Sequence, residues 1–182
     1  MWADLLWAFL QLGEWRLGGL PKRCGMETNY FERALQVMNE NFGHMVEMCL
    51  ASCSDNKLSI RDLHAMYIDG KMYVLSKLGN KLMRDIAVCP NVALCHGPHA
   101  MYGAAVSVGH PCEPKNAELR KRLKREFNLD YNEYVDETNP DMRIVEITLT
   151  SAQTYTRFHH YEIDFVSKTA TRDHSQPTFL YR

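Results

Sequence analysis

The chain has 182 residues, 46% of them hydrophobic, which is enough for a proper core in one domain and argues against a second. Its 21 basic and 22 acidic residues leave a formal net charge of −1, so no global field draws in nucleic acid or an anionic membrane, and partners must be argued locally. The six cysteines of a chain this long do not call for a disulfide framework, and no secretory signal is evident, which points to reduced thiols and a cytoplasmic setting.

Residues 1–25 differ in composition from the rest of the chain. The apolar run from Trp2 to Leu12 is broken by Asp4 and holds two of the three tryptophans, with Trp15 close behind. It is shorter than the ~20 apolar residues that cross a bilayer as a helix, and no basic residues precede it as in a signal peptide. Three readings stand: an upstream extension with Met26 as the working start, a segment that packs on the rest of the protein, and a membrane-surface anchor. The division adopted is 1–25 as extension and 26–182 as the working domain, with no membrane partner.

From Asn29 a helix is expected, with Phe31, Leu35, Met38 and Phe42 along one face, Thr28 as N-cap and Gly43 as its end. His44 to Ser52 reads as a strand, and Ser54-Asp55-Asn56-Lys57 as a turn into a second extended segment. Leu63–Ile68 and Met72–Leu75 form a hairpin about Asp69-Gly70, a dipeptide that accepts positive φ at both centres of a type I′ turn. Ser76 to Asn80 is a polar turn, and Lys81 to Val88 has helical spacing through Leu82 and Ile86. Pro90 stops that helix, and Asn91 to His96 is a strand.

His96 to His99 is a turn, and Ala100 to Val108 a longer strand. Gly103, Ala104 and Ala105 leave room there either for a planar ligand or for another backbone at a tight corner. Glu113 to Phe127 is a helix whose cations, from Lys115 to Arg125, have no interleaved aromatics and read as a solvated face rather than a nucleic-acid site. Asn128 to Pro140 is taken as a polar connection carrying Tyr131 and Tyr134. Met142–Leu149 and His160–Val166 are strands, and Ser167 to Arg182 lacks periodicity. Cys49, Cys89 and Cys95 are expected to pack as small hydrophobes.

The chemistry gathers on the hairpin and the helix after it. Arg61, Ser76, Asn80, Lys81 and the unpaired N–H groups of a helix start make a phosphate cradle without a Walker glycine pattern. Arg61 opening one strand, the Asp-Gly turn, Tyr73 to Ser76 on the next, Lys81 entering a helix, and Cys89-Pro90-Asn91-Val92-Ala93-Leu94-Cys95 together resemble the pyridoxamine 5′-phosphate oxidase-like superfamily. The resemblance covers roughly residues 30 to 166 and concentrates between Arg61 and Cys95.

That resemblance implies a mainly β (α+β) fold, a split β-barrel of antiparallel strands with flanking helices. It also implies FMN as cofactor, held at the interface of a homodimer, and a flavin-dependent oxidoreductase acting with a small redox donor or substrate. Arg61 and Lys81 then bind the FMN phosphate with Ser76 and Asn80, while Asp62, Leu63, His64 and Leu75 offer main-chain contacts to the ring. Two departures matter. The oxidases proper carry an Arg-Lys pair where this chain has Asn80-Lys81, and Thr178 to Arg182 replace their closing signature, so vitamin B6 oxidation is not carried over.

Other chemistries have less support. No Cys-x-x-Cys or zinc-finger spacing appears, so no metal site is expected. Some superfamily members bind and degrade haem, for which His159 or His160 offers an axial imidazole, and only one of two adjacent strand residues can face it. A deazaflavin in place of FMN, or a binding protein without turnover, also stands. No nucleophile elbow is present, and no residue receives a catalytic role; His64, Lys77 and groups from a second subunit remain candidates.

Overall fold

The computed structural model describes residues 29–174, the side chains of 128–130 excepted. The extension at 1–25, the Thr28 cap and the closing residues Thr178 to Arg182 lie outside the described residues. Chain order is α1 (Phe31–Phe42), β1 (Val46–Ser54), β2 (Lys57–Ile68), β3 (Lys71–Lys77), α2 (Lys81–Val88), β4 (Asn91–His96), β5 (His99–Gly109), α3 (Ala117–Tyr134), β6 (Met142–Tyr155), β7 (His160–Asp164) and β8 (Thr169–Asp173). A 3-10 turn at Pro114–Asn116 leads into α3.

All neighbouring strands pair antiparallel in the order β3-β2-β1-β4-β5-β6-β7-β8, and a further β3–β6 ladder closes the first six into a barrel. The long β6 makes this closure possible. One of its edges serves β3 over Met142–Thr148 and β7 over Ser151–Tyr155, while the other pairs with β5. The expected hairpin turn is present, with Asp69 at φ 48° and Gly70 at φ 82°, and Asp55-Asn56 turn the same way between β1 and β2.

Two apolar cores follow from the alternation of side chains along each strand. Met72 and Val74 of β3 point into the barrel with Ala65, Tyr67, Leu94 and Ile147, under a cover of α1 and α2. Tyr73 and Leu75 point outward, with Met66 and Ile144, into a second core beneath α3. Both faces of β3 are therefore covered, which is why it reads as an unbroken apolar run.

Three expectations need correction. α3 does not stop at Phe127. Leu119, Leu123, Phe127 and Tyr131 recur every four residues, and Tyr131 is 1% exposed in the second core. Its hydroxyl donates to Glu137 at 2.9 Å, where Arg120 and Lys124 also end, so the aromatic belongs to the helix and two of the helix cations are spoken for. Next, the aperiodic tail contains β8, which pairs with β7 and binds Asn29 at the entrance of α1. A short edge strand held by its neighbours carries little periodicity of its own. Finally, Cys95 is exposed rather than packed, because β4 turns it to the outer face of the barrel, while Cys49 and Cys89 are half-buried.

The close approach at Gly103 is to backbone. A Cβ there would collide with the carbonyl oxygen of Thr148 on β6, at a register shift between Tyr102 and Gly103. Gly103 thus serves the barrel corner.

Candidate functional site

The β2–β3 ladder runs from Ile68–Lys71 to Ala65–Val74 and goes no further. Beyond it β2 stays with β1, and β3 stays with β6. Among the described residues no ladder joins Arg61–His64 to Leu75–Lys77, so these two edges face each other across a slit. Strand edges that do not pair expose N–H and C=O groups, and such groups need a partner.

The slit opens on both sides of the sheet, and Asp62, Leu63, Leu75, Ser76 and Asn80 line both mouths. One mouth, of about 440 Å³, adds Arg61, Lys81 and Leu82. The other, of about 300 Å³, lies under the end of α3 and adds His64, Phe127, Tyr134 and Val135. The His64 and Tyr134 rings meet edge to face with centroids 5.1 Å apart. All eight residues expected to hold a cofactor therefore line this slit: Arg61, Asp62, Leu63, His64, Leu75, Ser76, Asn80 and Lys81.

Asp85 governs the first mouth, and sequence reasoning missed it. The carboxylate is 1% exposed. It accepts from Lys81 Nζ at 2.7 Å, Ser52 Oγ at 2.7 Å, Ser54 Oγ at 2.9 Å and Arg61 at 3.2 Å. The Lys81 contact above all, then the two serines and Arg61, holds it well below the usual carboxylate range against the opposing effect of burial. The available signals were Lys81 and Asp85 at the i,i+4 spacing and an acid beside Ile86 on the apolar side of α2. Asp62 also lines this mouth, so the two cations are set against two carboxylates, one buried beneath them and one on the neighbouring strand edge.

Further up, Ser76 is buried, and its hydroxyl oxygen accepts from the Asn80 amide at 3.4 Å. Asn80 also opens α2 without capping it through its side chain, so the first N–H groups of the helix are not taken by a cap. This combination suits an ester phosphate at Arg61 and Lys81, with a flat ring entering between the strand edges.

His159 and His160 do not reach the slit mouths. His160 stacks on Tyr155 with centroids 4.5 Å apart, and His159 lies beside Tyr161 and His174, so the haem alternative gains nothing there. No group of three metal-ligating side chains is found among the described residues, and no helix among them is long and apolar enough to cross a membrane.

No family model and no curated protein matches this sequence. Solved structures do match its shape. General Stress Protein 26 from Bacillus anthracis superimposes with a TM-score of 0.50 at 16% identity, over 67% of this chain and 90% of that one. A FAD-binding protein from Mesorhizobium loti gives 0.52 at 15% identity, over 66% and 90%. A Clostridium acetobutylicum protein related to general stress protein 26, described as of the pyridoxinephosphate oxidase family, gives 0.51 at 9% identity, over 76% and 96%. At such identities the likeness is one of fold, and it agrees with the six-stranded antiparallel barrel and its flanking helices. The chain shares the split-barrel fold of these structures.

Proposed function

We propose that the chain binds FMN in the slit between β2 and β3 and works as a flavin-dependent oxidoreductase on a small substrate. The observation that carries this reading is the parting of the two strands after Ala65–Val74, with Arg61 and Lys81 at one mouth. Bound FMN would supply two-electron exchange with a small donor or acceptor. The chain's own residues hold and shield it. Arg61, Lys81, Ser76 and the start of α2 take the phosphate, while the edges at Asp62–His64 and Leu75 offer backbone groups to the ring. Leu75, Phe127 and Val135 keep water from the second mouth. The FAD-binding description of one structural relative is in keeping with a flavin here.

A homodimer belongs to the same proposal. The row Ile60, Ala51, Ala93 and Tyr102 crosses β2, β1, β4 and β5 on the outer face of the barrel, with Ile60 73% and Tyr102 50% exposed. An exposed apolar row beside an open slit is suited to contact with a second copy along that row.

The test is the absorbance spectrum of the purified protein with added FMN, compared with the Arg61→Ala, Lys81→Ala double variant. Bound flavin in the parent that is lost in the double variant is the expected result. A parent that takes up no FMN overturns the reading. Removing both cations strands Asp85, so a triple variant that also carries Asp85→Asn separates loss of binding from loss of folding.

A further inference from the structure

The row next to Ile60 and Tyr102, on the side of the slit, carries two thiols. Register sets Asp62 of β2, Cys49 of β1, Cys95 of β4 and Ala100 of β5 side by side across the sheet. Directly opposed residues of an antiparallel pair point to the same face with Cβ atoms about 4.5–5.5 Å apart. A disulfide takes about 3.5–4.5 Å, so a small closure brings the sulfurs together. Cys49 donates its thiol hydrogen to Asp62 Oδ1 at 2.7 Å, and Cys95 is exposed. The bond to the carboxylate, with burial and the neighbouring Cys95, pushes the Cys49 thiol up to about 11. Cys49 therefore stays protonated, and Cys95 is the sulfur that meets a dissolved oxidant first.

We propose that Cys49 and Cys95 form a reversible cross-strand disulfide in response to a peroxide, and that its formation takes from Asp62 the hydrogen-bond donor it has at the slit. The Cys95 thiolate attacks one peroxide oxygen, the O–O bond breaks, and the departing hydroxide takes a proton to become water. Cys49 Sγ then attacks the Cys95 sulfenic sulfur. Its proton passes to Asp62 and on to the hydroxide that leaves, which makes a second water. The two sulfurs have lost two electrons and two hydrogens, and one peroxide has become two waters. A dithiol reverses the step. Afterwards Asp62 lines both mouths of the slit as a carboxylate without its thiol partner, a charge unfavourable to an anionic cofactor. This last consequence rests on the FMN reading.

The experiment treats the full chain with one equivalent of hydrogen peroxide and then maps its peptides by mass. A product lighter by two hydrogens, with Cys49 joined to Cys95, is expected. Dithiothreitol should reverse it, and Cys49→Ser and Cys95→Ser should each abolish it, whereas Cys53→Ser, opposite Leu58, leaves it in place. Cys95 oxidised to sulfinic acid with no crosslink overturns the proposal. FMN titration of the two forms reads the coupling: several-fold weaker binding by the oxidised form supports it, and equal binding overturns it. A reduced chain that takes up no FMN ends the cofactor reading alone, because the peptide masses still decide the thiol pair.

Discussion

β5 and β6 remain paired from Ala100–Gln153 to Gly109–Ile144, while β2 and β3, also antiparallel neighbours in the same barrel, separate after Ala65–Val74. The closed side accommodates its corner by deleting a side chain, so that Gly103 rests against the Thr148 carbonyl. The open side keeps its edges apart and places charges there. Asp85, Arg61 and Lys81 stand at one mouth, and the end of α3 stands over the other. One pair of strands uses its backbone groups to close the barrel. The other leaves them unpaired along a slit, flanked by a buried carboxylate and two helices.

The comparison can be broken hardest at Asp85. Replacing Arg61 and Lys81 together by Ala leaves this carboxylate buried with only Ser52 and Ser54. Urea unfolding should show a loss of roughly 3–5 kcal/mol, the usual cost of removing the partners of a buried charge. Asp85→Asn added to the double variant should restore most of it. No restoration would mean that the cations stabilise the slit independently of Asp85.

On the closed side, Gly103→Ala should cost about 2 kcal/mol, because the carbonyl its Cβ meets is backbone and cannot swing away. FMN uptake by the folded fraction should not change. A variant with full stability and weakened FMN binding would instead make β5 a wall of the cofactor site.

A pH measurement sharpens the contrast further. His99, at the start of β5, is buried against Phe42 and Tyr155, and burial lowers its pKa to about 4. The unfolded chain binds this proton near pH 6.5 and the folded one does not. The stability it contributes is therefore complete above pH 6.5 and lost as pH falls from there toward 4. Unfolding free energies from urea titration at pH 7 and pH 5 should differ by about 2 kcal/mol more in the parent than in His99→Asn. Equal slopes would mean that the ring takes up a proton in place. Glu137, lowered to about 2 chiefly by its bond with Arg120, adds its own loss only below pH 4.5.

The smallest expected effect on stability is at Tyr134, which is 60% exposed over the second mouth. Tyr134→Ala should change the unfolding free energy by less than about 0.5 kcal/mol, as surface changes do, and still weaken FMN binding. Unaltered binding would remove this residue from the site.

Elements set by near neighbours were legible from the sequence. Asp69-Gly70 specifies its turn wherever it stands. Lys81 to Val88 and Asn91 to His96 have the bounds expected of them, since Pro90 and local periodicity punctuate both. All eight residues assigned to the cofactor line one slit, because strand and helix place them on facing edges. Tyr131 was legible too, at the third step of the four-residue spacing from Leu119, and was obscured by the polar residues around it.

What the tertiary structure alone decided are the contacts between distant parts of the chain. That Arg61 and Lys81 share Asp85 with Ser52 depends on β1, β2 and α2 meeting at one end of the barrel. That Cys49 faces Cys95 depends on which strand lies beside β1. β8 exists because β7 and Asn29 receive it. A residue's neighbours in sequence fix its dihedral preferences and the face on which it lies. Strand order and closure fix what stands opposite that face, and no local pattern records them.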